Sequence, residues 1–143
     1  MLHHIYGNYL NNKIKTLNVI NINALDAFDY LSKEVNSYLI DTRSELEWKT
    51  TGIPDLSSIN KETNLINWGP VLDQSFFEQY KKFLLIKFNR KDNLFFICRS
   101  GSRSLMAARF ALEFGFKNSY NIYEGFSNDN DKNWKKNLPV KFI

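Results

Sequence analysis

Residues Leu94 to Ser104 have the sequence LFFICRSGSRS, and this segment is the strongest indicator of the chain's fold. The apolar run Leu94–Ile97 predicts a buried strand, and the helical spacing that follows predicts a helix over Ser102–Glu113, which Gly115 ends. Between them lies a short turn with a glycine at Gly101. Strand, tight turn and helix in this order are typical of an α/β domain.

The same alternation continues on both sides of this stretch. Asn23 is a predicted N-cap, and Leu25, Phe28 and Leu31 are spaced to share the buried face of the helix that follows it. The predicted elements are a strand over Leu17–Ile22, a helix over Ala24–Ser32, a strand over Tyr38–Asp41, a brief helix capped by Ser44, extended pieces at Ser58–Asn60 and Leu65–Asn67, a helix over Ser75–Leu85, a strand over Tyr120–Ile122 and a polar helix near Asn130–Lys136. Alternating strands and helices predict a central, mostly parallel sheet flanked by helices, with ligands bound beyond the carboxyl ends of its strands.

Cys98 stands at such a strand end, and its surroundings favour a reactive sulfur. A helix N-terminus and nearby cations favour the thiolate, which is the nucleophilic form of the side chain. Gly101 allows the backbone to curl so that its N–H groups form an anion nest, and Ser102 is a predicted cap of the helix. Arg99 and Arg103 add positive charge that suits an oxyanion. A lone cysteine after an apolar strand is usually only a small buried residue, but this context favours a nucleophile.

Composition limits what else the chain can do. With 143 residues it has the size of one domain, predicted over residues 17–143 after a leader of residues 1–16. The net charge of +4 comes without a long basic run, so it argues against nucleic acid and modestly for small anionic substrates. The only cysteine excludes an intramolecular disulfide, and the only histidines, His3 and His4, lie in the leader without a third metal ligand.

The cellular location is predicted from the absence of a membrane span and of a signal peptide in the sequence. No stretch is apolar enough for a membrane span, and the N-terminus lacks the apolar run of a signal peptide. We therefore expect a cytoplasmic protein that binds no membrane.

Three segments give the chain a resemblance to the rhodanese-like domains, a family of sulfurtransferases. Residues 39–48, LIDTRSELEW, resemble the family's Asp-x-Arg strand end followed by Glu-Trp. Residues 98–104, CRSGSRS, resemble its active loop, and residues 120–126, YNIYEGF, with Trp134 and Pro139 beyond, resemble its usual ending. The resemblance implies a three-layer α/β fold over roughly residues 17–141.

The resemblance also implies a mechanism. An anionic donor such as thiosulfate leaves its outer sulfur on Cys98, and the loop of Arg99, Ser100, Gly101, Ser102 and Arg103 binds the donor and stabilises the persulfide. A thiol or cyanide then takes the sulfur, which implies ping-pong kinetics without a cofactor or metal. The acceptor implied is a small thiol or a protein sulfur carrier.

Residues outside the loop are given supporting roles. The resemblance implies that Asp41 is structural and that Ser104 supports the active loop. From its helical spacing, Arg43 is predicted to pair with Glu47. One departure stands out, because the family often has His before the Ile-Pro of its Gly-His-Ile-Pro segment, whereas this chain has Gly52-Ile53-Pro54. That difference weakens any inference from the substrates of the family to the substrate of this chain.

Two other functions stay open from the sequence. A phosphatase or arsenate reductase on the same scaffold also uses a Cys thiolate and an Arg, although the family pattern gives those enzymes a loop one residue longer than the six residues from Cys98 to Arg103. A non-catalytic module that binds a partner is the second alternative. Such modules usually lose the cysteine or the loop.

Overall fold

The computed structural model describes residues 18–143, and in this range the chain alternates between strands and helices. Asn23, Ser44 and Asp73 each cap a helix through a side-chain oxygen, which confirms the predicted caps at Asn23 and Ser44. The elements are β1 (Ile20–Ile22), α1 (Ala24–Lys33), β2 (Ser37–Asp41), α2 (Glu45–Thr51), β3 (Ile53–Pro54), a 3₁₀ turn (Ser57–Ile59), β4 (Asn64–Leu65), α3 (Gln74–Lys87), β5 (Asn93–Ile97), α4 (Ser102–Glu113), β6 (Ser119–Ile122), α5 (Trp134–Asn137) and β7 (Val140–Lys141).

The central sheet is parallel, and β5 lies in its middle. Its strand order is β1-β6-β5-β2-β4, and every neighbouring pair in it runs in the same direction. A separate antiparallel pair joins β3 to β7. In the register of the central strands, Asp41 at the end of β2 lies beside Ile97 at the end of β5. The segments that follow these two strands therefore leave the same edge of the sheet at the same level.

The sheet has a hydrophobic core on each face, which gives the domain three layers. Leu94 and Phe96 of β5 point into one core, which contains α3 and α4, whereas Phe95 and Ile97 point into the other, which contains α1 and α5. Side chains alternate between the faces of a strand, so a continuous apolar run is what a strand covered on both sides requires. The predicted α/β class and the flanked parallel sheet are confirmed.

Several local predictions are corrected. Leu25 is 55% exposed, because Ala24, Ala27 and Leu31 form the buried face of α1 instead. The segment near Ser58 forms a 3₁₀ turn rather than an extended piece. The polar helix near the C-terminus begins only at Trp134. The predicted leader, His3, His4 and the predicted strand start at Leu17 lie outside the described residues.

No helix within residues 18–143 is both long and apolar enough to cross a membrane.

Candidate active site

Cys98 directly follows β5, at the carboxyl edge of the sheet. The chain after β2 is held against this point, because the backbone N–H of Thr42 donates to the Ile97 carbonyl at 2.8 Å and the Thr42 hydroxyl donates to the same oxygen at 3.0 Å. Both segments that the sequence singled out, after Asp41 and after Ile97, are thus brought together at one edge.

The sulfur of Cys98 is buried but surrounded by hydrogen-bond donors. Cys98 has 0% of its surface exposed. The backbone N–H of Gly101 lies 3.1 Å from Sγ, and the backbone N–H and hydroxyl of Ser104 each lie 3.3 Å from it. These donors converge on a group that lies away from water, so the sulfur has hydrogen-bond partners although it is buried.

Gly101 makes this arrangement possible. Its φ of +100° lies in the left-handed region, and a Cβ there would lie 2.9 Å from the carbonyl oxygen of Tyr123. Gly101 is also the N-cap of α4, so the predicted cap at Ser102 is wrong. Ser102 is instead the first residue of the helix, with an exposed side chain.

The loop also offers backbone N–H groups that have no partner within the described part of the chain. The backbone N–H groups of Ser100, Ser102 and Arg103 have no acceptor among residues 18–143. Two of them belong to the first turn of α4, where helix N–H groups have no partner inside the helix. Together with the side chain of Arg99, which is exposed and forms no ion pair in this range, they can bind an anionic group beside the sulfur.

Arg103 is held by Glu47, which corrects the predicted partner of Glu47. The two guanidinium nitrogens of Arg103 donate to the two carboxylate oxygens at 2.6 and 2.9 Å. The predicted pair between Arg43 and Glu47 is therefore wrong. The Arg103 hydrogen bonds lower the pKa of Glu47 from 4.5 to about 2, and the same contact raises the pKa of Arg103. Ser44 holds Glu47 in place through a capping box at the start of α2.

Arg43 and Asp41 instead form a buried ion pair below the loop. The side chains of both residues have 0% of their surface exposed, and a guanidinium nitrogen of Arg43 lies 2.7 Å from the carboxylate. Arg43 also donates to the carbonyl of Gly52 at 2.7 Å, and its guanidinium lies 3.8 Å from the ring centre of Phe126. This pair joins the end of β2, the end of α2 and the chain after β6, which is a scaffold role.

Asn121 is a site residue that the sequence patterns did not predict. Its side-chain oxygen accepts a hydrogen bond from the Ser104 hydroxyl at 2.6 Å, and its amide donates to the Gly101 carbonyl at 3.2 Å. Asn121 thereby fixes both residues that donate to the sulfur. The available signal was an asparagine in the middle of a buried strand, a position that asparagine seldom occupies.

Two recesses include residues of the loop in their lining. One, of about 590 Å³, includes Arg99, Lys135 and Lys136 in its lining and is called the basic recess below. The other, of about 500 Å³, is lined mainly by the segment from Trp68 to Leu72 together with Arg103. Residues 18–143 contain no cluster of three or more His, Cys, Asp or Glu side chains that could hold a metal ion.

Comparison with known protein families gives a match to the family described as Rhodanese-like domain, over residues 25–132. Among curated proteins, an uncharacterized protein of Rickettsia rickettsii is 39% identical over 128 residues, which cover 88% of this chain and 100% of that protein. An uncharacterized protein of Rickettsia prowazekii is 40% identical over 126 residues, which cover 87% of this chain and 98% of that protein.

Solved structures show the same architecture. The crystal structure of Rv0390 from M. tuberculosis superposes with a TM-score of 0.72 at 30% identity, over 85% of this chain and 96% of that one. The polysulfide-sulfur transferase homodimer from Wolinella succinogenes superposes with a TM-score of 0.58 at 20% identity, over 99% and 90% of the two chains. At that identity, the likeness to the Wolinella protein concerns the fold alone.

Proposed function

The chain belongs to the rhodanese-like domain family, and from this premise we propose that it is a sulfurtransferase that carries sulfur as a persulfide on Cys98. The observation that carries the proposal is the sulfur itself, which faces the N–H groups of Gly101 and Ser104 and the hydroxyl of Ser104. A buried thiol with only a packing role has no need of three donors.

The first half of the reaction loads the enzyme. The Cys98 thiolate attacks the outer sulfur of thiosulfate, the S–S bond of the donor breaks, and sulfite leaves with the bonding electron pair. The product is a Cys98 persulfide with its negative charge on the outer sulfur. The N–H groups of Ser100, Ser102 and Arg103, which have no acceptor among residues 18–143, are the donors available to that charge and to the departing sulfite.

The second half of the reaction transfers the sulfur from Cys98 to an acceptor. An acceptor thiolate attacks the outer sulfur, a new S–S bond forms on the acceptor, and the Cys98 thiolate is released. Cyanide reacts in the same way and yields thiocyanate. Because the sulfur is held on the enzyme after the donor product leaves and before the acceptor reacts, double-reciprocal plots of initial rates should show the parallel lines of a ping-pong scheme.

The proposal is tested by intact mass spectrometry after incubation with thiosulfate. We expect a gain of one sulfur atom, which a thiol or cyanide removes, and no gain for Cys98→Ser. The chain has one cysteine, so the adduct has one thiol on which to form. An adduct of the same mass on Cys98→Ser, or none on the unchanged protein with thiosulfate and other sulfane-sulfur donors, would contradict the proposal.

A parallel assay with an aryl phosphate examines the phosphatase alternative. Release of phosphate that depends on Cys98, without sulfur transfer, would favour that alternative. A cellular effect that Cys98→Ser leaves intact would instead favour a binding module.

A further inference from the structure

The basic recess beside the active loop is much larger than thiosulfate requires. It measures about 590 Å³ and is lined by Arg99, Lys135 and Lys136, with Thr51, Asn128 and Asn133 among the polar neighbours. Pockets of roughly 300–1,000 Å³ are those that hold organic ligands of moderate size. A small inorganic anion would leave most of this volume to water.

Among the described residues, the lining of the recess has three cations and no carboxylate. Within the described part of the chain Arg99 and Lys135 form no ion pair, and the Lys135 ammonium lies 6.0 Å from the ring centre of Phe142. Lys136 contacts Asp131 at 3.1 Å, but the two side chains are 55% and 93% exposed. Ion pairs so exposed are weak, so an anionic ligand can compete for Lys136.

Main-chain hydrogen bonds fix this recess relative to the sulfur. The N–H of Phe126 donates to the carbonyls of Cys98 and Arg99 at 2.8 and 3.1 Å, and the N–H of Lys135 donates to the carbonyl of Phe126 at 2.9 Å. Thr51, which also lines the recess, accepts a hydrogen bond at 2.8 Å from the buried Arg43. A ligand held in the recess is therefore held at a constant position beside the active loop, which is the condition for effective transfer.

We propose that the basic recess binds the sulfur acceptor, and that this acceptor is a low-molecular-weight thiol with at least two carboxylates. The inference rests on the proposed function and specifies its acceptor. The carboxylates of the acceptor contact Lys135 and Lys136, and Arg99, which also lines the recess, directly follows Cys98 in the chain. The acceptor thiolate then takes the outer sulfur of the persulfide and restores the Cys98 thiolate.

Binding is measured first, without sulfur transfer. The probe is (methylthio)succinate, a dicarboxylate thioether, titrated calorimetrically into the Cys98→Ser protein. Adding Lys135→Ala and Lys136→Ala should weaken binding about tenfold, because each partly exposed cation contributes a factor of about two to five. The arginine pair Lys135→Arg and Lys136→Arg should restore it, and salt should weaken binding to the lysine protein.

A matched control removes the same charge elsewhere. Lys82 and Lys117 are exposed, lie outside the recess and form no ion pair in the described range. Lys82→Ala with Lys117→Ala should leave the dissociation constant within a factor of two. Equal weakening by both double variants, or no saturable binding to the Cys98→Ser protein, would overturn the proposal.

Kinetics then separate this inference from the proposed function. With mercaptosuccinate and 2-mercaptoethanol as acceptors, the ratio of their kcat/KM values should fall about tenfold in the Lys135→Ala, Lys136→Ala protein. If this ratio is unchanged in a variant that still loads sulfur, the proposed role of the recess is refuted and the proposed function is not. Failure of the unchanged protein to load sulfur refutes the proposed function, while the calorimetric result still decides whether the recess binds the dicarboxylate.

Discussion

Replacing Ser104 with alanine should slow sulfur loading about tenfold without unfolding the protein. The hydroxyl of Ser104 lies 3.3 Å from the Cys98 sulfur and 2.6 Å from the Asn121 side-chain oxygen. A hydroxyl has one proton, so Ser104 can donate either to Asn121 or to the sulfur, and the attacking Cys98 thiolate is the acceptor that this donor stabilises. Ser104→Ala removes this donor but keeps the backbone N–H at 3.3 Å.

The size of the effect follows from the kind of bond lost. Hydrogen bonds to charged groups contribute about 1.5–3 kcal/mol. Competition with Asn121 for the single proton places Ser104 near the lower limit, and about 1.5 kcal/mol corresponds to a factor of roughly ten in rate. The variant also leaves the buried Asn121 oxygen without its hydroxyl donor, which should lower the free energy of unfolding by about 1–3 kcal/mol.

The assay is single-turnover loading with thiosulfate, followed by intact mass, beside urea unfolding of the same protein. Ser119→Ala is the matched control, because Ser119 is also a buried serine whose hydroxyl donates at 2.7 Å, but to the carbonyl of Phe116. It should lose comparable stability and load sulfur at the original rate. Equal loading rates in the Ser104 and Ser119 variants would refute a contact between the Ser104 hydroxyl and the reacting sulfur.

Three further variants test the scaffold around the sulfur. Arg43→Met leaves the Asp41 carboxylate buried without its cation and should cost about 3–5 kcal/mol of unfolding free energy, measured in urea. The carboxylate of Glu47 has a folded pKa of about 2 against 4.5 ordinarily, so its pair with Arg103 stabilises fully above about pH 4.5 and is lost as pH falls towards 2. Glu47→Gln should therefore cost about 1 kcal/mol at pH 7 and less in acid, and an equal loss at both pH values in urea titrations would refute this. Gly101→Ala must adopt a φ of +100° with its Cβ 2.9 Å from a carbonyl oxygen, so thermal unfolding should show a loss of about 1–3 kcal/mol, and unchanged stability would contradict the strain.

The fold was predictable because its signals are local. The run Leu94–Ile97, the helix over Ser102–Glu113 and the cap at Asn23 each depend on residues close in sequence, and the structure has all three. The leucine at 25 misled because an apolar residue at helical spacing does not reveal which neighbouring face is covered. In α1, Ala24 and Ala27 are fully buried, whereas Leu25 is 55% exposed.

The site was predictable only in its centre. Cys98 and its loop are contiguous, but Glu47 reaches Arg103 across 56 residues, and Asn121 reaches Ser104 across 17. Helical spacing predicted that Arg43 pairs with Glu47, and two features of the fold explain why it does not. The end of β2 places Arg43 over its own Asp41, and α4 carries Arg103 to the start of α2. Such pairings depend on strand order, which local pattern does not contain.

The burial of Cys98 by itself would suit a residue that only fills space. The polar residues around the sulfur argue against that role, because burying polar side chains is unfavourable. A glycine with a left-handed backbone, a buried serine and a buried asparagine all surround one sulfur. The polar side chains of the serine and the asparagine are unfavourable in an apolar core unless they have hydrogen-bond partners. An alanine at position 98 would fill nearly the same space without needing any of them. The N–H groups at the start of α4 that have no acceptor within residues 18–143 are where the negative outer sulfur of the proposed persulfide would bind.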